Sequence, residues 1–432
     1  MGDIFKKHHY EITEKYGKNF CAAPFTSLHQ LGEGVVTTCC KTREPIGNSN
    51  THSYEEIMNS EHAKKVREQF LRGKKPKQCR SCWEYEDNND WPANNRVFSN
   101  YSARTQIDDA VKDTAPDGTL LKQHPAWLDM LWTNKCNFAC LGCSPELSTT
   151  IATKYKDAFA DINGIDIEHY HPEINNQWSM DNSAKIDYIL KHSDTITKIH
   201  LNGGEPFMQE DVYELLDAIL SKGLQKQIMI WAHTNGSIIK YKGIDLVEDY
   251  LKHWGNNCKI TISADHYGPR GEYIRWGYKQ SKWVDSYNRF FDAGINLGVQ
   301  TCYSLLNALT VEDMGNWFHK TLPKPLYGSL TLWTDHRAFD PRLLQLTPDL
   351  LEAAVNQLET LKTNDRHPDH WQSNLQGHIN YMLGNLDENR LHEKARNFIK
   401  GVDSIDSARG TDFETTFPEL VDFRNRLIEI VQ

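Results

Sequence analysis

Three cysteines in the first half of the chain constrain its fold most strongly. Cys136, Cys140 and Cys143 are spaced Cys-x3-Cys-x2-Cys, which places three thiolates on one tight loop. Three thiolates can hold three irons of a cubane cluster and leave the fourth iron open, whereas a closed ferredoxin-type site uses four cysteines. A zinc loop or buried thiols are the alternatives, although zinc sites normally take their ligands in pairs or fours. The loop therefore predicts a cluster with one iron open to a further ligand.

Composition, net charge and the grouping of the cysteines limit the classes of protein to which this chain can belong. The 432 residues are 39% hydrophobic and 25% charged, which is typical of a soluble globular protein of two or three domains. The net charge of −10 disfavours nucleic acid as a partner. No signal peptide and no apolar run of ~18 residues is visible, so we expect a cytoplasmic protein that binds no membrane. In that reducing compartment, the grouping of the cysteines indicates metal or cluster ligation rather than disulfides.

Short apolar runs alternate with helical patterns after the first quarter of the chain. The predicted strands span residues 128–132, 198–201, 228–232, 259–263, 295–301 and 329–333. Helices are predicted at 212–220 and 283–293, where Gly223 and Gly294 end them. Six strand–helix repeats predict a partial (β/α)6 barrel of the TIM type, because eight repeats are needed to close the usual barrel.

The same patterns predict four regions. We expect them to be a cysteine-bearing module at 1–100, a linker at 101–125, the partial barrel at 126–340 and a helical C-terminal extension at 341–432. Within the module, Ser53 and Glu56 match a capping box ahead of an apolar helical stripe that stops at Gly73. Residues 146–180 are expected to form an insertion over the face that carries the cysteine loop.

A second motif follows the second predicted strand. It reads Asn202-Gly203-Gly204-Glu205-Pro206. Two glycines let the backbone approach a bound molecule closely, and a carboxylate accepts hydrogen bonds from an ammonium group. Alone, such a motif is most often a plain turn. One strand after a three-cysteine loop, it indicates a ligand-binding segment.

With both motifs, the sequence resembles the radical SAM superfamily. The resemblance implies that Cys136, Cys140 and Cys143 hold a 4Fe–4S cluster that chelates S-adenosylmethionine (SAM). It also implies that Gly203, Gly204 and Glu205 bind the methionine end of SAM, with Glu205 on the amino group and Pro206 completing the motif.

Further segments fit the same family. The third predicted strand ends in Thr234-Asn235-Gly236, and the fourth in Ser263-Ala264-Asp265 with Arg275 downstream. The resemblance assigns Asn235, Ser263, Asp265 and Arg275 to the cofactor, with Ser263 and Arg275 on the SAM carboxylate or ribose. A planar guanidinium suits a carboxylate, although a surface salt bridge would explain the arginine equally simply.

The N-terminal module carries four more spaced cysteines. They are Cys21, Cys39, Cys79 and Cys82. This pattern resembles the twitch domain, a shortened relative of the SPASM domain, and implies one auxiliary 4Fe–4S cluster; here it precedes the barrel, whereas in most members it follows. A four-cysteine zinc site is the alternative. Cys39 and Cys40 compete for one ligand position, and the glycine spacing favours Cys39.

The resemblance implies a radical SAM enzyme. A flavodoxin- or ferredoxin-like donor would reduce the open cluster, and SAM would give a 5′-deoxyadenosyl radical that abstracts hydrogen from the substrate. A peptide or protein side chain is the leading substrate class, and a small metabolite such as an amino acid, amine or sugar is the alternative. A non-catalytic iron–sulfur or zinc-binding sensor is the alternative from another class.

Residues at strand ends complete the predicted site. Cys302 follows the fifth predicted strand and is a candidate hydrogen-atom donor to a substrate radical, with structural burial as the alternative. Cys258 is expected to be a buried core thiol. Four other residues lie at or near predicted strand ends and are candidates to line the pocket, with a structural hydrogen-bonding role as the alternative for each: His233, Thr301, Asp335 and His336.

Overall fold

The computed structural model describes residues 3–42, 44–87, 94–163, 182–323, 327–332, 338–362, 369–384 and 386–432. The strands are β1 Ser27–Gln30, β2 Val35–Thr37, β3 Gly47–Asn48, β4 Trp127–Leu131, β5 Ala139–Cys140, β6 Lys198–Asn202, β7 Met229–Thr234, β8 Lys240–Tyr241, β9 Ile244–Asp245, β10 Cys258–Ser263, β11 Arg275–Trp276, β12 Asn296–Tyr303 and β13 Tyr327–Leu332.

Helices occupy most of the remaining described chain. They are α1 Asp3–Tyr16, α2 Ala23–Thr26, α3 Tyr54–Met58, α4 Glu61–Leu71, α5 Arg80–Asp87, α6 Asn94–Ser102, α7 Ile107–Lys112, α8 Thr149–Lys154, α9 Lys156–Asn163, α10 Asn182–Lys191, α11 Glu210–Ser221, α12 Gly268–Ile274, α13 Gln280–Asp292, α14 Leu305–Ala308, α15 Val311–Thr321, α16 Pro348–Lys362, α17 Asp369–Leu383, α18 Glu388–Arg409, α19 Phe413–Thr416 and α20 Val421–Val431. None of the described helices is long and apolar enough to cross a membrane.

The chain divides into two compact units. The first comprises Met1–Asn134, Trp178–Ala232 and Tyr250–Lys259, and the second comprises Lys135–Gln177, His233–Asp249 and Ile260–Gln432.

A twisted sheet forms the centre of the first unit, with strand order β3-β2-β1-β4-β6-β7. Strands β1, β4, β6 and β7 are parallel, and β2 and β3 extend the β1 edge in antiparallel pairs. Helix α11 connects β6 to β7 in a strand–helix–strand unit, and Gly223 at φ +69° follows it. Apolar side chains such as Leu128 and Ile199 are fully buried on the sheet, which places the core against it.

The N-terminal residues contribute more to this sheet than the sequence predicted. Strand β1 pairs in parallel with β4, with Ser27 opposite Trp127, and so lengthens the parallel sheet. The predicted capping box forms between Ser53 and Glu56, but it begins only α3. The predicted apolar stripe lies on a separate helix, α4, which Ser60 caps independently. Helix α7 occupies part of the predicted linker.

The second unit contains its own parallel pair, β12 and β13, and two small antiparallel pairs. Residues 260–263 of β10 neighbour β12, and the Ala264 amide donates to the carbonyl of Gln300 just past β10. The C-terminal helices bury a cluster of aromatic rings that includes Phe398, Phe413 and Phe423. Ring contacts of this kind stabilise the helices on one another.

The predicted strands are confirmed to within about two residues at each end wherever the structure describes them. The α/β class with parallel strands is confirmed as well. Closure of six repeats into a partial barrel and the four predicted domain boundaries stay predictions. Residue 333 of the last predicted strand and residues 164–180 of the predicted insertion lie outside the described residues.

Candidate iron–sulfur and SAM site

The three-cysteine loop lies in the second unit and is anchored by a short strand pair. Strand β5 contains Ala139 and Cys140, and it pairs antiparallel with β11, so that Cys140 stands opposite Arg275. The Leu141 amide continues this pairing by donating to the carbonyl of Ile274 at 2.8 Å. The strand pair therefore holds the central cysteine against the arginine that the sequence predicted twelve residues after Ser263.

Hydroxyl groups around the start of α8 hold the backbone of the same loop. Ser148 caps α8 and donates to the carbonyl of Phe138 at 2.6 Å. Thr150 donates to the carbonyl of Cys136 at 2.6 Å. These carbonyls lie in a loop without regular hydrogen bonding, so the hydroxyls satisfy groups that would otherwise be costly to bury. The sequence analysis did not single out either hydroxyl residue.

Hydrogen-bond donors point at two of the three sulfurs. The Phe138 amide lies 3.5 Å from Cys136 Sγ, and Asn235 Nδ2 lies 4.0 Å from the same atom. Arg275 Nη1 lies 3.8 Å from Cys140 Sγ. Burial raises the pKa of the Cys140 thiol to about 12, although Arg275 opposes the shift. Three thiols, with N–H groups aimed at the sulfurs of Cys136 and Cys140, match the ligand chemistry of an iron–sulfur cluster, because N–H donors stabilise bound thiolates.

Arg275 is engaged by a buried carboxylate. Asp265 Oδ2 lies 2.8 Å from Arg275 Nε in an ion pair, and Asp265 Oδ1 accepts a hydrogen bond from Nη2 at 3.1 Å. Asp265 also accepts from the amide of Cys302 at 2.8 Å. Burial opposes the charge of Arg275, but Asp265 and then Cys140 raise its pKa above the usual range. Asp265 thus engages Nε and Nη2 of the guanidinium, while Nη1 is directed at Cys140. Contact of Arg275 with the carboxylate or ribose of SAM stays a prediction.

Other predicted residues of the second unit are held in place by hydrogen bonds. Asn235 donates to Asn137 Oδ1 at 2.9 Å, which ties residue 235 to the cysteine loop. The Ser263 carbonyl accepts from the Trp283 indole at 3.1 Å. Thr301 donates to the Ala264 carbonyl at 2.7 Å. Asp335 and His336 lie outside the described residues.

The Gly-Gly-Glu segment forms a tight turn at the end of β6 in the first unit. Gly203 has φ +139°, and a Cβ there would lie 2.4 Å from the carbonyl oxygen of Thr133. The Gly204 amide donates to that same oxygen at 2.7 Å. Only glycine fits such an approach of two backbones. Glu205 is fully buried, and its carboxylate accepts from the Phe207 amide at 3.4 Å in the turn that starts with Pro206.

The four predicted auxiliary ligands surround one pocket in the first unit. Its lining includes Cys21, Cys39, Cys79 and Cys82 together with Phe70, Trp83 and Arg96. Cys40 is exposed and is not part of this lining. Burial raises the pKa of Cys21 to about 12 and of Cys82 to about 11.

Among the described residues, no three His, Cys, Asp or Glu side chains are close enough to share a single metal ion. A zinc site needs all its sulfurs about 2.3 Å from one point. Four thiols around one pocket provide the number and type of ligands that close a 4Fe–4S cluster, in which each sulfur binds a different iron.

Arg96 is a feature of this pocket that the sequence analysis missed. Its side chain is 4% exposed, pairs with Glu86 and lies 4.6 Å from the ring centre of Trp83. It donates to the carbonyl of Phe20, next to Cys21, at 3.0 Å. Its positive charge opposes the rise in the pKa values of Cys21 and Cys82 that burial causes. A buried cation here favours thiolates over thiols.

A buried acid between two histidines is a second feature that was missed. His29, Asp129 and His200 stand side by side on β1, β4 and β6. The Nδ1 atoms of His29 and His200 lie 2.9 Å and 3.0 Å from the two oxygens of Asp129. Burial raises the pKa of Asp129, but the hydrogen bonds from His200 and His29 bring it well below its usual range. The negative charge of Asp129 also contributes to the raised pKa of Cys39.

Two family models match the chain. The SPASM model, an iron–sulfur cluster-binding domain, matches residues 21–83. A 4Fe–4S single cluster domain model matches residues 127–255. The two matched segments contain the four auxiliary cysteines and the three cysteines of the loop, respectively. No curated protein matches the chain.

Several solved structures are similar in part. Native anSMEcpe with bound AdoMet shows 15% identity and a TM-score of 0.35, over 55% of this chain and 61% of that one. Streptococcus suis SuiB bound to S-adenosylmethionine shows 13% identity and a TM-score of 0.36, over 70% and 60%. The methyltransferase TsrM from Kitasatospora setae, with tryptophan and a SAM analogue bound, shows 12% identity and a TM-score of 0.29, over 54% and 48%. The chain thus spans less than two thirds of the length of these structures.

Proposed function

We propose that this chain, a radical SAM enzyme with a SPASM-type iron–sulfur domain, binds SAM at an open cluster held by Cys136, Cys140 and Cys143 and modifies a peptide or protein side chain. The observation that supports this most strongly is the three-cysteine loop, in which N–H donors approach the sulfur of Cys136 and Arg275 approaches the sulfur of the central Cys140. A set of three thiols leaves one iron of a 4Fe–4S cluster without a protein ligand.

The cofactors define the chemistry, and the chain positions and tunes them. When bound, the open cluster and SAM together supply a 5′-deoxyadenosyl radical that removes a hydrogen atom from an unactivated C–H bond. The Phe138 amide and Asn235 stabilise negative charge on Cys136. Arg275 does the same for Cys140, and Asp265 fixes the guanidinium in place.

The SAM-binding segment is part of the same proposal. Gly203 lets the turn pack closely against the backbone of Thr133, which fixes the position of the following Glu205, and we assign Glu205 to the methionine amino group. Pro206 fixes the turn after Glu205. We assign Ser263 to the SAM carboxylate or ribose, and Asn235 and Asp265 to supporting the cluster loop and Arg275.

The second cluster is proposed to be held by Cys21, Cys39, Cys79 and Cys82. Four thiolates close a cluster completely, which makes it suited to electron transfer rather than to binding SAM. We propose that a flavodoxin- or ferredoxin-like protein supplies electrons to the enzyme. The resemblance to the radical SAM superfamily favours the peptide class of substrate, and modification by cross-linking, epimerisation or other oxidation fits that class.

The function is tested by SAM cleavage. The anaerobically reconstituted full chain is expected to hold about two 4Fe–4S clusters and to form 5′-deoxyadenosine with SAM and dithionite. Cys136→Ala is expected to abolish 5′-deoxyadenosine formation, because the variant loses one of three iron ligands. Cys258→Ala is the control, since Cys258 is a fully buried thiol at the start of β10 and belongs to neither group of proposed cluster ligands. Zinc in place of iron, or intact clusters without SAM cleavage, would refute the proposal that the chain is a SAM-cleaving enzyme.

The substrate class needs a separate test. Short peptides encoded next to the gene are incubated with the enzyme, SAM and dithionite in deuterated and ordinary buffer, and the peptide mass is followed. A peptide-dependent increase in 5′-deoxyadenosine with a change in peptide mass supports the peptide class. Turnover that depends on an amino acid, amine or sugar, and on no peptide, would favour the small-metabolite alternative.

A further inference from the structure

Helix α18, in the helical C-terminal part of the chain, ends beside the cysteine loop within the second unit. Its last residue, Arg409, is 8% exposed. Nη2 donates to the carbonyl of Ala139 at 2.6 Å, and Nη1 donates to the carbonyl of Tyr273 at 3.0 Å. Ala139 directly precedes Cys140, and Tyr273 lies two residues before Arg275. One guanidinium therefore binds both β5 and the last turn of α12, which leads directly into β11.

Aromatic rings enclose the same guanidinium. Its central carbon lies 5.4 Å from the ring centres of Tyr155 and Trp276 and 5.9 Å from that of Phe159. Planar guanidinium groups are attracted to the faces of such rings, and rings keep water away. The positive charge is thus held in a partly desolvated site, where its effect on nearby charges is larger than in water. Burial lowers the pKa of Arg409 to about 10, so the group stays charged at neutral pH.

The end of α18 is built to fix this arginine. Gly410 has φ +65°, a left-handed conformation that ends the helix directly after Arg409. The Asp406 carboxylate accepts from Thr411 Oγ1 at 2.6 Å and from the Phe413 amide at 2.8 Å. These bonds fold the chain back at the helix end and limit the movement of the last turn. The segment Asp406-x-x-Arg409-Gly410, in which Arg409 lies 266 residues after Cys143, thereby becomes part of the support of the cysteine loop.

We propose that Arg409 is a positioning residue for the open cluster: it fixes the Ala139–Cys140 backbone and places a second cation next to Cys140, whose sulfur Arg275 also approaches. This inference rests on the proposed function, because it takes Cys136, Cys140 and Cys143 as the ligands. A cation near a cluster stabilises the reduced form, which is more negative by one charge, and so raises the reduction potential. The C-terminal extension consequently sets how easily the cluster is reduced.

Potentiometry on the full chain tests whether the charge of Arg409 changes the reduction potential of the open cluster. Cys79→Ala with Cys82→Ala removes two auxiliary ligands, so the remaining EPR signal reports the open cluster. In this background, Arg409→Gln is expected to shift the midpoint potential to more negative values, and Arg409→Lys, which keeps the charge, to shift it less. Arg426→Gln is the control, since Arg426 lies on α20 and pairs with Asp349 and Asp422. Unchanged potentials in Arg409→Gln, with the cluster intact, would overturn the role of the charge.

The positioning role has its own readout. Release of iron to a chelator from the open cluster is expected to be on the order of 10 times faster in Arg409→Lys than in the parent, because supporting contacts around metal ligands typically contribute that much. A release rate equal to the parent would overturn positioning. Loss of both clusters in Arg409→Gln and Arg409→Lys, measured in the chain with all cysteines, would assign Arg409 to general packing and overturn the proposal. Failure of the proposed function is distinguishable, because it appears as absent SAM cleavage in the parent.

Discussion

At the residue scale, the described site is a set of charges placed close to sulfur. Arg275 faces Cys140 and is fixed by Asp265, while Arg96 lies in the auxiliary pocket and binds next to Cys21. Both arginines are largely buried, so each exerts a stronger effect than a surface cation would. Cysteine positions alone predicted the sulfurs, but spacing in the sequence contains no signal for Arg96.

Lys198 is a buried cation whose positive charge is expected to destabilise the fold. Burial, with Lys259 and Arg104 nearby, lowers its pKa from 10.5 to about 7, and its amine lies 4.1 Å from the ring centre of Phe98. Because the folded pKa lies below the unfolded one, Lys198 destabilises the fold fully below about pH 7, and this cost disappears as the pH rises towards 10.5. Lys198→Met is therefore expected to raise the free energy of unfolding by about 1 to 3 kcal/mol at pH 6.5 and by much less at pH 10.

Urea unfolding at the two pH values measures this effect. Lys222→Met is the matched control, because Lys222 is an exposed residue that follows α11, and its change is expected to stay within about 0.5 kcal/mol. A Lys198→Met variant that is less stable at pH 6.5 than at pH 10, relative to the parent, would show that the amine has a stabilising partner.

At the scale of elements, short turns and strand ends determine the site. The turn after β6 depends on Gly203, whose backbone lies against Thr133, whereas Gly223 after α11 has open space around its Cα. Gly203→Ala is expected to lower the free energy of unfolding by about 3 kcal/mol, since an alanine there meets both a strained φ and a backbone oxygen. Gly223→Ala meets only the unfavourable φ of +69° and is expected to cost about 1 kcal/mol.

Thermal unfolding and SAM binding of the two variants check this pair. Gly203→Ala is expected to lose SAM binding, and Gly223→Ala to retain it. Equal losses in the two variants would mean that the close approach to Thr133 has no effect on the turn.

The elements also show what the sequence could and could not predict. Six strands were visible because apolar runs are bounded by glycines and polar segments. Strand β1, which reads Ser-Leu-His-Gln, has no clear alternation, so its pairing with β4 was missed. The His29–Asp129–His200 row depends on the register of three strands, and Arg409 depends on a contact with Ala139 across 270 positions. Neither is encoded in any local pattern.

At the scale of the whole molecule, the two groups of cysteines belong to different units. The auxiliary cysteines all lie in the first unit, and the loop cysteines with Arg275 and Arg409 all lie in the second. Each set of ligands is therefore built from contacts within its own unit. Cys79→Ala is expected to remove the auxiliary cluster and to leave about half of the iron, with the open cluster intact. Iron analysis and EPR of the variant measure this, and loss of both clusters would show that the auxiliary site supports the entire fold.

The central claim is that the cluster on Cys136, Cys140 and Cys143 has an open iron that binds SAM. The most direct measurement is the EPR spectrum of the reduced open cluster in the Cys79→Ala, Cys82→Ala chain before and after SAM is added. Binding of SAM to an iron changes the g-values of the cluster, and we expect this change in the chain with Cys79→Ala and Cys82→Ala. A spectrum that SAM leaves unaltered, with the cluster fully assembled and reduced, would contradict the account.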